Sequence, residues 1–330
     1  MTKVLAASPF HRAWRRLRRI VDRTRAREAE NTGDGQDLPL SLILATPPVA
    51  TEALTEGVAP SLPIGVHVLG QDAYLEMALW ALKSFYHFAG VGFPLNVHLQ
   101  GQNTRKMRQV LGQHFPQARL VSQEEADAVV EPWLEKRGLH RLLAMRREFF
   151  LMMKLIDLRL FARTPLVIYL DTDVLFFQHP QSLLAYAGDA FGASSLFMRD
   201  CYPSYCISPE RARADLGIDL VPFANTGLMR LATDSIDLEA CDRYLAHPDL
   251  ARPHWHLEQT LHALNASAQR RLELLPETYA LSEGPHPQVE KLVARHYASP
   301  IRPLLVGEGI AYLLNTGFLP ALADGIATTG

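Results

Sequence analysis

The 330-residue chain has few cysteines, no long apolar run and almost no net charge. Its three cysteines, Cys201, Cys206 and Cys241, are too few and odd in number for a disulfide scaffold, which fits a reducing compartment. No uninterrupted apolar stretch is long enough to span a membrane, and the N-terminus lacks the apolar core of a secretory signal. We therefore expect a cytoplasmic protein.

The net charge of -2 argues against a nucleic-acid partner, but the charge is unevenly distributed. Residues 1–30 hold nine Lys and Arg against three Asp and Glu. Within them Phe10, Trp14, Leu17 and Val21 recur at helical spacing between arginines, which is typical of an interfacial helix on an anionic membrane. A solvated basic helix fits the pattern equally well, so peripheral membrane contact through residues 10–30 stays open.

The composition, 48% hydrophobic and 21% charged, is that of a globular protein with a sizeable core. We divide the chain into a basic extension and linker (1–37), a Pro-rich lead-in (38–63), a main domain (64–303) and a C-terminal helical tail (304–330). Strands that alternate with helices predict an α/β domain with a mostly parallel sheet flanked by helices and a less regular C-terminal half. The predicted strands are Ile64–Leu69, Pro94–Leu99, Ala118–Val121, Leu166–Leu170, Ala190–Phe197, Gly227–Leu231 and Arg271–Leu275; the predicted helices are Asp72–Phe88, Thr104–Phe115, Arg141–Phe161 and Leu257–Leu264.

The strand Leu166–Leu170 is followed by two carboxylates, Asp171 and Asp173. Because side chains alternate along an extended chain, both carboxylates point to the same side. Two carboxylates beside a buried strand repel each other, and the arrangement persists if one is protonated or if a cation lies between them. A hard divalent cation such as Mg2+ or Mn2+ is the simplest solution. The alternative is a chance Asp-x-Asp in which aspartate simply forms a turn.

Further polar residues stand in predicted apolar surroundings, each with a structural alternative. Lys154 would reach a phosphate near the metal or extend to water. Asn225, before Gly227 and an apolar strand, suits sugar recognition but also opens an ordinary turn. Glu258, with Gln259, begins a helix, where an acid also complements the helix dipole. His296 is a transition-metal ligand type, although the chain has 13 histidines.

In this order the motifs resemble those of the GT-A nucleotide-sugar glycosyltransferases, which have a Rossmann-like α/β fold. They are most similar to the retaining group that includes glycogenin and the bacterial lipopolysaccharide galactosyl- and glucosyltransferases. The resemblance covers roughly residues 64–303. It rests on Ile168-Tyr169-Leu170-Asp171-Thr172-Asp173-Val174, Phe223-Ala224-Asn225-Thr226-Gly227-Leu228-Met229, Glu258-Gln259 with Leu264-Asn265, Leu275-Pro276 with Tyr279, and His296-Tyr297-Ala298-Ser299-Pro300.

The resemblance implies a role for each matched position. Asp171, Asp173 and His296 would bind the divalent metal, usually Mn2+, that holds the donor diphosphate, with a UDP-sugar as the expected donor. Lys154 would contact the phosphate or the sugar of the donor. Asn225 and Gly227 would face the donor sugar, and Glu258 and Gln259 would lie by the reacting face of that sugar. Leu69 and Gly70 would meet the nucleoside.

The chain departs from the family pattern at two places. Glu258-Gln259 stands where the family commonly has Asp-Gln, so the acid is one methylene longer. His296-Tyr297-Ala298-Ser299 replaces His-Phe-x-Gly, and Arg302-Pro303 replaces the usual Lys-Pro. Arg302 would supply the cation that the lysine normally gives.

Three other functions share part of this pattern. A catalytically inactive sugar-nucleotide-binding protein would keep the same residues. Haloacid-dehalogenase-type phosphatases also have Asp-x-Asp after an apolar strand, but usually on the first strand and followed by Gly-Thr. A nucleotidyltransferase would need a glycine-rich basic loop after the first strand, which here ends Val68-Leu69-Gly70-Gln71-Asp72.

Overall fold

A computed structural model describes residues 37–101, 104–185 and 194–323. These residues form a mixed α/β fold with one seven-stranded and one three-stranded sheet, which confirms the predicted sheet flanked by helices. The basic segment of residues 10–30 lies outside the described residues, as does part of the predicted strand Ala190–Phe197. In the described part of the chain no helix combines the length and apolarity needed to cross a membrane.

The main sheet has the strand order β3-β2-β1-β4-β7-β6-β8. Strands β3, β2, β1 and β4 run parallel, and β7 is antiparallel to both of its neighbours. The parallel half places the carboxyl ends of β1 and β4 side by side. The strands are β1 (Ile64–Gly70), β2 (Leu95–Leu99), β3 (Arg119–Ser122), β4 (Leu166–Leu170), β6 (Ser195–Arg199), β7 (Ala224–Ala232) and β8 (Leu272–Leu274).

The small sheet has the order β5-β10-β9, and its strand β5 follows β4 directly in the chain. Its strands are β5 (Val174–Phe176), β9 (Tyr279–Ala280) and β10 (Ala294–His296). Because β10 pairs antiparallel with β5, His296 lies opposite Val174, next to Asp173. The small sheet therefore brings a residue more than 120 positions away in sequence beside the Asp-Thr-Asp segment.

Helices cover both faces of the main sheet in two buried apolar clusters. Along β4, Ile168 and Leu170 belong to one cluster and Val167 and Tyr169 to the other, as expected for a strand buried on both faces. The α-helices are Asp37–Ser41, Leu75–Ala89, Arg105–His114, Gln123–Lys136, His140–Glu148, Ile156–Phe161, Gln181–Leu184, Pro209–Leu216, Leu238–Tyr244, Leu257–Ala268, Ala311–Asn315 and Phe318–Ala323.

The predicted long helix Arg141–Phe161 is wrong. The chain instead forms a helix to Glu148, a 3-10 segment Phe150–Lys154 and a short helix from Ile156. Phe149 breaks the helix with an extended backbone (φ -135, ψ 103). The apolar pattern continues through the break, because all three pieces pack against the same sheet face, so hydrophobic periodicity does not reveal it.

The segments on either side of the main domain also pack against it. Ile43 and Val49 are buried in the core, and the buried Lys83 ammonium donates to Thr46 Oγ1 at 2.7 Å. At the other end, the π-helix Leu305–Ile310 and the two helices after it contribute buried apolar side chains to the same cluster. Residues 37–63 and 305–323 are thus part of the folded unit.

Candidate active site

Asp171 and Asp173 lie where β4 ends and the chain crosses to the small sheet. The Asp171 amide donates to Gly227 O at 2.7 Å, so β7 holds this end of β4 in place. Asp173 O accepts from the Tyr297 amide at 2.8 Å, which ties the segment to the end of β10. Asp173 is buried and Asp171 is partly exposed, so solvent reaches the pair at the Asp171 side.

His296 completes a three-residue cluster with these two carboxylates. Its Nε2 lies 3.1 Å from Asp173 Oδ1 and 3.9 Å from Asp171 Oδ2. The ligand atoms of all three residues lie within 4.8 Å of one another. Ligands about 2.1 Å from a Mg2+ ion and at right angles to each other lie about 3 Å apart, which is close to the separation of His296 Nε2 and Asp173 Oδ1.

Asn225 fixes which nitrogen of His296 faces the carboxylates. Asn225 Oδ1 lies 3.0 Å from His296 Nδ1 and accepts from the Gly227 amide at 2.9 Å. Because an amide oxygen only accepts, Nδ1 must carry hydrogen and donate. In the neutral ring this leaves the Nε2 lone pair aimed at the carboxylates, which is the arrangement of a metal-ligating histidine held by an outer partner.

Two cations compensate the carboxylate pair. Arg302 donates to Asp173 Oδ2 from Nε at 3.1 Å and from Nη2 at 2.8 Å. Lys154 Nζ lies 3.3 Å from Asp171 Oδ2 and 3.6 Å from Glu258 Oε2. His296 and Arg302 use different oxygens of Asp173, so a metal at the histidine side leaves the contact with the arginine intact.

The electrostatics of the cluster follow from burial and these partners. Burial acts to raise the pKa of Asp173, but His296 and Arg302 outweigh it and lower that pKa to about 2. Burial acts to lower the pKa of Lys154, but Asp171 and Glu258 outweigh it and raise that pKa. Asp173 is therefore an ionised carboxylate with a buried ammonium nearby, and the carboxylate oxygens and imidazole nitrogen of the cluster are donors that suit Mn2+ or Mg2+.

Glu258 and Gln259 begin the helix Leu257–Ala268 beneath this cluster. Glu258 is 2% exposed and its Oε2 accepts from Thr226 Oγ1 at 3.1 Å. Burial, reinforced by the Asp171 charge, raises the pKa of Glu258 to about 7 despite the opposing effect of Lys154. Gln259 Oε1 accepts from the Thr226 amide at 3.3 Å.

Asp200 belongs to the same network and is absent from the sequence prediction. It follows β6, and its Oδ2 accepts from Asn225 Nδ2 at 3.1 Å and from Gln259 Nε2 at 3.4 Å. The signal that would have located it is a carboxylate directly after a strand, as at Asp171. Recognising this signal requires the correct end of β6, and the predicted strand ends at Phe197, two residues before the observed end at Arg199.

The structure thus joins nine of the predicted site residues in one connected cluster. They are Lys154, Asp171, Asp173, Asn225, Gly227, Glu258, Gln259, His296 and Arg302. Leu69 and Gly70 end β1, beside the Asp171 end of β4. At Gly70 an added Cβ would lie 2.7 Å from Met107 Cε, so this glycine also allows close packing of a helix.

No protein-family model and no curated protein matches the chain. Solved glycosyltransferase structures are similar to it in fold. Galactosyltransferase LgtC, in complex with donor and acceptor sugar analogs, is 14% identical, with 81% of this chain and 97% of that chain covered and a TM-score of 0.49. Mouse xyloside xylosyltransferase 1 is 13% identical, with 71% and 97% covered and a TM-score of 0.46.

A fungal enzyme gives a third comparison. Core-mannan synthase A from Aspergillus fumigatus, in its Mn/GDP form, is 10% identical, with 70% of this chain and 77% of that chain covered and a TM-score of 0.43. At such identities the similarity is one of fold, and the roles of individual residues rest on the geometry of this chain. The chain is a mixed α/β protein similar in fold to solved glycosyltransferases.

Proposed function

We propose that this chain is a metal-dependent glycosyltransferase that moves a sugar from a nucleotide-diphosphate donor, expected to be a UDP-sugar, to a glycan, glycolipid or protein acceptor with retention. One observation carries the proposal. Asp171, Asp173 and His296 converge with Lys154 and Arg302 at the carboxyl end of a buried strand. In open α/β sheets this edge is where ligands bind.

The three ligating groups would hold Mn2+, or Mg2+, through one oxygen of each aspartate and the Nε2 of His296. The imidazole nitrogen favours Mn2+, because Mg2+ takes almost only oxygen ligands. When bound, the ion supplies positive charge against the oxygens of the donor diphosphate.

The two cations act on the same leaving group. During transfer the bond between the anomeric carbon and the diphosphate oxygen breaks, and its electron pair stays on the diphosphate. The acceptor hydroxyl oxygen forms the new bond, and its proton passes to the departing diphosphate. Lys154 and Arg302 stabilise the negative charge that develops on the phosphate. Arg302 reaches it by exchanging part of its contact with Asp173.

The remaining residues orient the donor. Glu258 and Gln259 lie by the reacting face of the sugar, where a carboxylate or amide oxygen stabilises positive charge at the anomeric carbon. Asn225 and Gly227 face the sugar while they also hold His296. Leu69 and Gly70, at the end of β1, meet the nucleoside. All of these positions adjoin the metal cluster, which supports one continuous donor site.

A nucleotide-sugar screen tests the proposal. Thermal shifts with a panel of nucleotide sugars, with and without Mn2+, should show stabilisation by one donor class only when the metal is present. Asp173→Ala should abolish donor hydrolysis and transfer, whereas Asp219→Ala, at a 77% exposed side chain paired with Arg213, should leave both unchanged. NMR of the product anomer tests retention.

Two outcomes would contradict the proposed function. Full activity in excess EDTA would contradict the metal assignment. Binding of a nucleoside diphosphate with Mn2+, but without turnover across acceptors, would identify a sugar-nucleotide-binding protein instead.

We further propose a cytoplasmic location, with peripheral membrane contact through residues 10–30. Their excess of arginine supports this contact. Deleting them should reduce binding to anionic vesicles and leave binding to neutral vesicles unchanged; unchanged binding to anionic vesicles would contradict the contact.

A further inference from the structure

Two aromatic side chains are strongly exposed beside the candidate active site. Among the described residues, Tyr202 and Trp255 are the aromatic members of the set of exposed large hydrophobic side chains, at 55% and 56% exposure. Large aromatic side chains are normally buried, because each carries an apolar surface of 150–250 Å². Two of them exposed on segments that adjoin one site suggest a shared role in binding.

Each aromatic residue is close in sequence to the reacting groups. Tyr202 follows Asp200 by two residues, and its amide lies 3.3 Å from Asp200 Oδ1. Trp255 precedes Glu258 by three residues, just before the helix Leu257–Ala268 begins. Asp200 in turn contacts Gln259. Both aromatics therefore stand on segments that lead directly into the catalytic network.

Hydrogen bonds fasten these two segments to each other. Ser204 O accepts from Gln259 Nε2 at 3.0 Å. The Cys206 amide donates to Thr260 Oγ1 at 2.9 Å, and Cys206 Sγ lies 3.3 Å from His254 Nδ1. The aromatics are thus held on a joined, ordered surface rather than on independent loops, which lowers the entropy cost of binding a ligand there.

Polar acceptors accompany the aromatic surface. The Glu283 carboxylate beside the Tyr202 hydroxyl raises the pKa of Tyr202. Asp200 adds a second carboxylate on the same segment. Exposed aromatic rings with carboxylate acceptors nearby are complementary to a pyranose, which presents an apolar C–H face and donor hydroxyl groups at its edge.

We infer that Tyr202 and Trp255 form the acceptor platform of this enzyme and that its acceptor is a carbohydrate. One sugar ring of the acceptor stacks on the aromatic surface, and its hydroxyl groups donate to Asp200 and Glu283. This inference rests on the proposed function and narrows its acceptor to a carbohydrate.

The test separates acceptor recognition from donor chemistry. Neutral mono- to tetrasaccharides serve as acceptors with the nucleotide sugar that stabilises the protein, and donor hydrolysis without acceptor is measured in parallel. Tyr202→Ala and Trp255→Ala should each raise the acceptor KM by about tenfold or more, as expected for loss of an aromatic anchor. Donor hydrolysis and Mn2+ affinity should stay unchanged.

Matched variants control for general effects of the substitutions. Tyr202→Phe and Trp255→Phe keep an aromatic ring and should retain most of the acceptor affinity. Val129→Ala removes another exposed apolar side chain, on the helix Gln123–Lys136 away from the site, and should change neither measurement.

Four results would contradict the inference. An unchanged acceptor KM, a parallel fall in donor hydrolysis, transfer to peptides but not to sugars, or no transfer to any saccharide would each contradict the carbohydrate platform. Failure of the proposed function is distinguishable, because the wild-type protein would then hydrolyse no nucleotide sugar with Mn2+. In that case, saturation-transfer NMR with the same saccharides still tests the platform, and its signals should decrease in both alanine variants.

Discussion

Gly227 provides the space that the imidazole of His296 occupies. A Cβ added at Gly227 would lie 2.2 Å from His296 Cε1 and 2.4 Å from its Nδ1, both far inside van der Waals contact. Gly227 sits in β7, and its carbonyl accepts from the Asp171 amide. One glycine therefore positions both the histidine and the first aspartate of the cluster.

Gly227→Ala should weaken Mn2+ binding by at least about tenfold, because the methyl group forces the imidazole away from the carboxylates. The free energy of unfolding should fall by about 1–3 kcal/mol from overpacking. Titration calorimetry with Mn2+ and urea unfolding measure the two effects.

Gly112→Ala is the matched control for this change. Gly112 lies in the helix Arg105–His114, and an added Cβ meets nothing within 4 Å. This variant should keep Mn2+ affinity and gain up to about 1 kcal/mol in the free energy of unfolding. Equal Mn2+ affinity in both variants would show that His296 is not a ligand.

Asn225→Ala should weaken Mn2+ binding by about 10- to 100-fold, because His296 loses the acceptor that orients its ring. Thr226→Val is the neighbouring control, since the Thr226 hydroxyl donates to Glu258 and not to His296. Calorimetric titration of both variants with Mn2+ measures the two affinities. A larger loss of Mn2+ affinity in Thr226→Val would contradict the role of Asn225.

Arg302→Ala should change the affinities for metal and nucleotide in opposite directions. In the nucleotide-free protein the guanidinium charge offsets part of the negative charge of Asp173, so its removal should raise Mn2+ affinity. With Mn2+ saturating, loss of a charged hydrogen-bond donor should weaken nucleoside diphosphate binding by about ten- to hundredfold. Titrations with Mn2+ alone and then with UDP measure both; parallel changes would contradict contact with the diphosphate.

Glu258 gives stability a predictable dependence on pH. Burial raises its pKa from 4.5 to about 7, so between these values the folded state binds more protons than the unfolded state. Its contribution to stability is therefore fully present below pH 4.5 and is lost as pH rises through 7. Glu258→Gln cannot titrate and avoids this loss.

Urea unfolding in EDTA at pH 5 and pH 8 tests the Glu258 effect. The free energy of unfolding of Glu258→Gln, relative to wild type, should rise between these pH values by up to about 3 kcal/mol. A difference that stays constant or falls with pH would show that folding does not raise the pKa of Glu258.

The sequence predicted those parts of the site that local patterns determine. The apolar run before Asp171 specifies a strand by composition alone, and the alternation of side chains places Asp173 with Asp171. The pairing of His296 with them depends on β5 and β10, which are short strands far apart in the chain. Only the order of motifs in a resembling family indicated that pairing.

The features that were missed depend on tertiary contacts or on competing local signals. Asp200 is joined to Asn225 and Gln259 only by the fold. The helix Gln123–Lys136 is absent from the prediction, although Ser122 and Glu125 form a capping box. Pro132 lies inside that helix, and proline normally ends one. Packing of this helix in the apolar cluster that contains Val167 and Tyr169 outweighs the tendency of proline to end a helix.

Mn2+ binding followed by electron paramagnetic resonance tests the central assignment most directly, because free Mn2+ loses its signal when it binds protein. With UDP present, we expect the wild-type protein to bind one Mn2+ ion, and His296→Ala and Asp173→Asn to lose at least about tenfold in affinity. Wild-type affinity in both variants, or no Mn2+ bound by the wild-type protein with UDP, would contradict a metal centre at Asp171, Asp173 and His296.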